Sequence, residues 1–333
     1  MARFLQTSDL HLNALRSRFD DYLERADQML RALDYAAVSF RVDFTVVAGD
    51  FFDQPNLTNA DRQLLSDWLA RSPVPIIGIS GNHDARTTSF GDTCLSHVTR
   101  LPMATHVLHD RAPVLVQHDA MDLILIPWHG WSDQEFHGIV TTLLDRRKRD
   151  VPVVVVAHEA FTGCRGDNGH EVHHHAQASI RTALPVTWWA LGDMHQYQKL
   201  DSNAVYSGSP HQIDFGEGPD KGCCIVDFAD GAATHRFTGL KSTPLVTLTE
   251  IPPDNVWPPF CRFKPEDFVA NTLLPPGIEY VVPNISGTGQ DNTVKSHQRD
   301  VLAGLADVLY RAKLPSELHG LSTEIAQSLL ARA

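Results

Sequence analysis

The residues able to do chemistry stand at the ends of short apolar runs. Ser8-Asp9-Leu10-His11 closes Arg3-Phe4-Leu5-Gln6-Thr7, and Gly49-Asp50-Phe51-Phe52-Asp53 closes Phe44-Thr45-Val46-Val47-Ala48. Gly81-Asn82-His83-Asp84 follows Pro75-Ile76-Ile77-Gly78-Ile79. His158-Glu159 follows Val153-Val154-Val155-Val156-Ala157, and Gly192-Asp193-Met194-His195 follows Trp188-Trp189-Ala190-Leu191. Mixed Asp, Asn and His side chains suit a borderline divalent ion such as manganese, iron or zinc. Asp9, His11, Asp50, Asn82, His158, Asp193 and His195 together exceed what one ion with open positions needs. They suit two ions bridged by one carboxylate. Two such ions, about 3.5–4 Å apart, stabilise both the attacking and the leaving oxygen of an in-line phosphoryl displacement. One Asp or His at a strand end is usually a turn residue, and Gly49-Asp50 alone is a common turn pair. Five such ends on five apolar runs are not explained as turns.

For these side chains to meet, five segments must converge. An apolar run bounded by Pro and Gly reads as a buried strand. Between the first two runs, Phe19, Leu23, Ala26, Leu30, Leu33, Ala37 and Phe40 recur at spacings of four and three, which predicts a helix with one apolar stripe. A second helix is predicted over 59–70, closed off by Pro73 and Pro75. Strand and helix in alternation predict a two-sheet α/β sandwich, with its site outside the carboxyl ends of the strands.

Farther along, Val114-Leu115-Val116 and Leu123-Ile124-Leu125-Ile126 predict a hairpin leading to Pro127-Trp128-His129. A helix is expected over 132–148, and a loop over 163–175 that carries His173-His174-His175. Short strands are expected around Val205-Tyr206, at 225–228 and at 234–237. Composition shifts near Gly239, so residues 1–240 form the expected catalytic domain. Residues 241–287 form a small α+β capping domain, with strand-like Leu245–Leu248 and Ile278–Val282 and a short helix over 265–270. Residues 288–333 are expected to be helical, with Val294, Val301, Leu305, Val308 and Ala312 on one face. Ser322 is placed to cap a last helix bearing Ile325 and Leu329.

The chain of 333 residues is 43% hydrophobic and 20% charged, an ordinary globular balance. No apolar run reaches the roughly 18 residues of a membrane span, and the N-terminus lacks signal-peptide architecture. Five cysteines, without metal-ligand spacing, predict reduced thiols in a cytoplasmic protein. A net charge of -12 argues against a basic nucleic-acid surface. Acids that bind divalent ions reverse the local field, which weakens that argument.

The series Asp9-x-His11, Gly49-Asp50-x-x-Asp53, Gly81-Asn82-His83-Asp84, His158 and Gly192-x-x-His195 resembles the calcineurin-like metallophosphoesterase superfamily. The resemblance implies one ion on Asp9, His11, Asp50 and His195, and another on Asp50, Asn82, His158 and Asp193, with Asp50 as the bridge. It implies that His83 is the catalytic histidine, protonating the leaving oxygen or stabilising charge on the phosphate, and that Asp53 orients it. The last motif usually reads Gly-His-x-His, so Asp193 stands in the place of a histidine. Protein Ser/Thr phosphatases carry Arg-Gly after the second Asp of the second motif, where this chain has Gln54-Pro55.

Two further stretches resemble SbcD-type DNA repair nucleases, including the shorter versions of tailed phages. One is Ser8-Asp9-Leu10-His11-Leu12 with Gly49-Asp50-Phe51-Phe52-Asp53. The other is Tyr206-Ser207-Gly208-Ser209-Pro210 leading to Ile213-Asp214-Phe215-Gly216-Glu217 and Lys221-Gly222. Leu125-Ile126-Pro127-Trp128 resembles the phage versions. This resemblance implies Mn2+-dependent exonuclease and endonuclease activity on DNA, homodimerisation, and an SbcC-type coiled-coil ATPase partner held by the helices of 288–333. Arg16, Arg18 and Arg86 flank the metal motifs as candidate phosphate contacts. Two alternatives stay open. One is hydrolysis of a small nucleotide or phosphoester. The other is a metal-impaired architectural subunit that positions DNA ends, a reading that rests on Asp193.

Overall fold

Period-two alternation places one set of apolar side chains between two sheets and the other set under helices. In a computed structural model, which describes residues 2–99, 106–118, 120–166, 170–172, 178–265 and 278–280, this produces a layered unit. The chain divides into one unit of Met1–Arg16 and Asp21–Thr243 and another of Ser17–Asp20 and Pro244–Ala333. The first unit begins β1 (Ala2–Thr7), α1 (Tyr22–Ser39), β2 (Phe44–Ala48), α2 (Asn59–Arg71), β3 (Ile76–Ile79), α3 (Ser96–Thr99) and β4 (Val107–His109). It continues with β5 (Val114–His118), β6 (Met121–Ile126), α4 (Asp133–Asp145), β7 (Val153–His158), α5 (Ala178–Ala183) and β8 (Trp188–Gly192). It ends with β9 (Gln198–Asp201), β10 (Ala204–Tyr206), β11 (Gly222–Ala229) and β12 (Ala232–Gly239).

One sheet has the order β12-β11-β1-β2-β3-β4 and the other β5-β6-β7-β8-β10-β9. Strands β1 to β4 run parallel, as do β6, β7, β8 and β10. Antiparallel strands flank each parallel set, with β11 and β12 on one sheet and β5 and β9 on the other. Phe4, Phe44, Val46, Ile77 and Ile79 pack between the sheets against Leu123, Leu125, Val154, Val156 and Trp188. The opposite faces bury Val47 under Leu30, Leu33, Leu65 and Trp68 of α1 and α2. On the second sheet they bury Val155 and Trp189 under Phe136, Val140 and Leu143 of α4. The fold is the expected two-sheet α/β sandwich.

Several boundaries differ from the sequence expectation. Phe19 and Phe40 lie outside α1, and Leu23 is only half-buried. Ala26, Leu30, Leu33 and Ala37 are buried as expected, and the same helix also buries Tyr22, Arg25 and Met29. Arg25 is tolerated there because its guanidinium donates to His211 Nδ1 at 2.7 Å, Gln212 O at 2.8 Å and Thr243 O at 3.0 Å. Ser132 caps α4 in a capping box with Glu135, as its sequence position suggests. The helix stops at Asp145, short of Lys148, and Arg147 and Arg149 both donate to the buried Asp122 of β6 at 3.0 Å. The short strands β4 and β9 and the short helices α3 and α5 have too few residues to show a period.

In the second unit, β13 (Val246–Leu248), β14 (Cys261–Phe263) and β15 (Glu279–Tyr280) form a small parallel sheet. Cys261, Phe263 and Ile278 are buried there with Val246, Leu248 and Trp257 against them. The expected helix over 265–270 lies outside the described residues except for Pro265. Val281-Val282, the helices of 288–333 and His173-His174-His175 lie wholly outside them. Among the described residues, no helix is long and apolar enough to cross a membrane.

Candidate metal centre

The carboxyl ends of β1, β2 and β3 of one sheet meet those of β7 and β8 of the other. Main-chain bonds lock the loops together: Asp9 N donates to Gly49 O at 3.0 Å, and His11 N to Asp50 O at 3.1 Å. Asp9, His11, Asp50 and Asp193 all have positive φ, at 53°, 42°, 53° and 95°. Each such conformation in a non-glycine residue costs on the order of 1–3 kcal/mol and clusters at functional sites. Two motif glycines permit the close approach. A Cβ on Gly192 would lie 1.9 Å from Ala48 O, and one on Gly81 would lie 2.1 Å from Asp50 Oδ1.

Four histidines converge with one pattern. His11 Nδ1 donates to Asp53 Oδ1 at 3.2 Å, and His158 Nδ1 to Ala48 O at 2.7 Å. His195 Nδ1 donates to Glu217 Oε1 at 2.9 Å, and His83 Nδ1 to Asp53 O at 2.7 Å. Every partner is an oxygen that can only accept, so Nδ1 carries a proton in each ring and Nε2 is the atom left to bind a cation in its deprotonated form. Metal-bound histidines are typically held this way. His158 Nε2 lies 2.8 Å from Asn82 Oδ1, 3.2 Å from Asp50 Oδ2 and 3.6 Å from Asp193 Oδ1. His11 Nε2 lies 3.6 Å from the same Asp50 oxygen and, although buried, has no hydrogen-bond partner among the described residues. Asp50 thus faces two histidines, and Asp193 N donates to Asp9 Oδ1 at 3.2 Å.

The donor set fits divalent cations. Ligand atoms of Asp9, His11 and His195 lie within 4.8 Å of one another, as do those of Asp9, Asp50 and His158, and of His11, Asp53 and His83. Asn82 and Asp193 join through His158. Lone pairs of carboxylates, an amide oxygen and imidazoles point at common centres, and a positive charge there satisfies all of them. Protons respond to the same crowding. Burial opposes ionisation of Asp50, yet His158, His11 and His83 hold its carboxyl below the usual range. Burial also opposes a charged His158, and Asp50, Asp9 and Asp193 overcome it and push its pKa up. Burial, with the charges of Asp9 and Asp50, pushes Asp193 up to about 6.

The residues fall into a distinct constellation. Asp9, His11, Asp50, Asn82, His158, Asp193 and His195 come together, with His83 and Asp53 on the rim at 41% and 25% side-chain exposure. Asp53 divides its contacts: its carboxylate meets His11, while its carbonyl meets His83 and the carboxylate stays 3.8 Å from that ring. The family model for calcineurin-like phosphoesterases matches residues 2–197. The chain belongs to that family. The calcineurin-like match ends two residues beyond His195 and so spans all five strand-end motifs.

A curated relative, an uncharacterized metallophosphoesterase called YhaO from Bacillus subtilis, is 23% identical over 255 residues. That alignment covers 70% of this chain and 59% of the relative, so the chain spans about three fifths of the relative's length. A dimetal phosphatase from Danio rerio superposes with a TM-score of 0.47 at 13% identity, over 72% of this chain and 96% of that one. Purple acid phosphatase PPD1 from yellow lupin (Lupinus luteus) seeds gives 0.48 at 11% identity, over 72% and 52%.

Several supporting residues carry no role in the sequence reading. Glu217 grips His195 and also Lys221, whose Nζ lies 2.8 Å from Glu217 Oε2 and donates to His195 O at 2.9 Å. Ser8 Oγ contacts Asp9 and lies 3.2 Å from Ser207 Oγ. Asn13 Oδ1 accepts from Asp53 N at 2.7 Å. Asp84 accepts from Phe51 N, Phe52 N and Gly81 N at 3.0–3.1 Å. Burial and the Asp50 charge push the Asp84 carboxyl up to about 7, against the pull of those three N–H groups. The sequence signal for Glu217 and Lys221 was their place in the SbcD-like stretch. Arg16 Nη1 donates to Asn56 O and Asp61 Oδ2 at 2.8 Å.

Proposed function

We propose that this chain hydrolyses DNA phosphodiesters at a two-cation centre, as the cytoplasmic nuclease subunit of an SbcC–SbcD-like pair in DNA-end processing, repair and recombination. One observation carries the nuclease reading. The stretch from Tyr206 to Gly222, which resembles SbcD-type nucleases, supplies the wall of the centre: Ser207 on Ser8, and Glu217 and Lys221 on His195. Its resemblance is therefore a resemblance in the site.

Asp9, His11, Asp50 and His195 would hold one cation, and Asp50, Asn82, His158 and Asp193 the other. Bound divalent cations supply charge neutralisation on the phosphate and lower the pKa of water. The protein's own part is positioning and proton transfer. Asp53, Ala48 and Glu217 fix the tautomers of His11, His158 and His195. The Asp53 carbonyl fixes His83 with its proton on Nδ1, so the proton given to a leaving oxygen comes from Nε2 of the protonated ring. The Asp53 carboxylate lies 3.8 Å from the same Nδ1.

The test uses the full chain with Mn2+ on linear duplex DNA, bis-p-nitrophenyl phosphate, p-nitrophenyl phosphate and cyclic nucleotides. Cleavage of DNA and of the diester is expected. His83→Ala is expected to lower kcat by about 10²–10⁴ while two equivalents of Mn2+ stay bound. Turnover confined to monoesters or cyclic nucleotides would overturn the nuclease reading. Full activity in His83→Ala would overturn the mechanism. The homodimer and the coiled-coil ATPase partner belong to the same proposal, with sedimentation and co-purification as their tests.

A further inference from the structure

An aromatic cluster stands beside the metal centre and takes no part in it. β3 and β6 end side by side, where Trp128 N donates to Ser80 O at 3.0 Å, three residues before His83. After β3 the chain doubles back. Ala85 bridges Thr93, Arg86 N donates to Asp92 O at 2.9 Å, and Gly91 N donates to Asp110 O at 2.8 Å. This held loop presents Phe90. The chain after β6 presents His129 and Trp131.

The three rings touch across the two loops. Phe90 and His129 are stacked, with centroids 4.1 Å apart and planes 14° apart. Trp131 lies 4.7 Å from His129 and 5.7 Å from Phe90. Trp131 Nε1 donates to Pro127 O at 3.1 Å, which fixes its ring. Phe90 is 43% exposed, and His129 and Trp131 are half-buried. A single exposed phenylalanine needs no explanation. Three rings from two loops, held in contact by main-chain bonds, form a built π surface.

Its surroundings indicate the occupant. Arg86, Thr87, Thr88 and Ser89 next to Phe90 are exposed and polar, so the apolar area is too small for a protein interface. Arg111, also exposed, runs beside the loop: a Cβ on Gly91 would lie 3.7 Å from its Cγ. An exposed π surface with a cation at its edge matches a nucleobase and its phosphate. We infer that Phe90, His129 and Trp131 form a stacking platform for an unpaired base of the strand being cut. The inference rests on the nuclease reading above and gives that site its substrate form, a frayed or single-stranded end. Stacking accepts any base, which suits an enzyme that must cut without regard to sequence.

The test uses the full chain, Ca2+ in place of Mn2+, and a single-stranded oligonucleotide with a terminal 2-aminopurine. Binding is expected to quench the 2-aminopurine. Phe90→Ala is expected to abolish the quench and weaken binding about tenfold, and Phe90→Trp to restore both. With Mn2+, Phe90→Ala is expected to raise KM for the oligonucleotide with kcat within about twofold. Trp131→Ala, read the same way, is expected to behave like Phe90→Ala. The inference is overturned if the wild type binds no oligonucleotide or if the alanine variants bind and quench as it does. It is equally overturned if Phe90→Trp is no better than Phe90→Ala, since the loop and not the ring would then matter. DNA cleavage that is indifferent to these variants would sink this inference and leave the nuclease reading standing. Base stacking without DNA cleavage would overturn the nuclease reading and, with it, the cut strand as the occupant, while leaving the three rings as a base-stacking surface.

Discussion

Asp193 brings a third carboxylate to a crowd of charges that already includes Asp9 and Asp50. A neutral imidazole at that position would add none. With φ at 95° and its N–H on Asp9, the residue is held in a backbone shape that costs stability. Such strain is retained when the side chain is needed where it points, 3.6 Å from His158 Nε2. Asp193→Ala is therefore expected to reduce bound Mn2+ from two equivalents to one, by elemental analysis, and to lower phosphodiester turnover at least about 100-fold. Asp193→His is expected to bind two ions with activity near that of the wild type. A large gain in Asp193→His would instead favour the metal-impaired architectural subunit. At this scale the sequence showed which side chains stand at strand ends, because ligand types are visible as letters. It did not show what holds them. Glu217 lies 22 residues from His195, and nothing in that spacing marks the contact. The division of Asp53 between two histidines likewise depends on which of its oxygens faces which ring.

The turn after β2 depends on one carboxylate of the turn after β3. Asp84 is fully buried and accepts three main-chain N–H bonds, two of them from Phe51 and Phe52, directly after Asp50. Removing an acceptor leaves each buried donor short of its bond at about 1–3 kcal/mol. Asp84→Ala is expected to lower unfolding free energy by about 3 kcal/mol or more in urea titrations. Mn2+ affinity should fall as well, because the turn that aims Asp50 loosens. Unchanged affinity would show that Gly81 and the Asp9–Gly49 bond suffice to hold Asp50. Elements were legible where they are long or strongly apolar: β2, β3, β7 and β8 read directly as runs between turn residues. α1 was legible as a helix with Ala26, Leu30, Leu33 and Ala37 inward, but Arg25 on its buried face was not, since it enters there only through partners at 211, 212 and 243. Those long-range bonds override the local pattern of Leu23. β9, with the sequence Gln-Lys-Leu-Asp, has no apolar pattern and is a strand only because β10 pairs with it.

At the scale of the whole sandwich, the layered architecture followed from alternating strands and helices. The strand order did not, because a strand such as β11 contains no sign that it lies antiparallel to β1. Segments far apart in the chain are therefore tied by bonds that only the folded unit makes. His211 is one such tie. Its Nδ1 accepts from Arg25 of α1, and its Nε2 donates to Leu10 O beside the metal ligands at 2.9 Å. Accepting from Arg25 requires the neutral ring, whereas Nε2 donates to Leu10 O in either protonation state. Burial, then the Arg25 charge, holds its pKa well below 6.5. An unfolded chain takes up this proton below about pH 6.5, while the folded one does not. The unfolded state thus binds more protons, so stability is present above that pH and is lost as pH falls toward the folded pKa. The loss from this one group grows as pH falls from about 6.5 toward the folded pKa. His211→Gln can make the same two bonds, since its carbonyl accepts and its amide donates, but it does not titrate. Urea unfolding in EDTA at pH 7.5 and pH 5.0 measures the difference. His211→Gln is expected to lose less stability than the wild type between those values. Equal losses in the two proteins would show that His211 does not carry the acid sensitivity of the fold and would place it elsewhere.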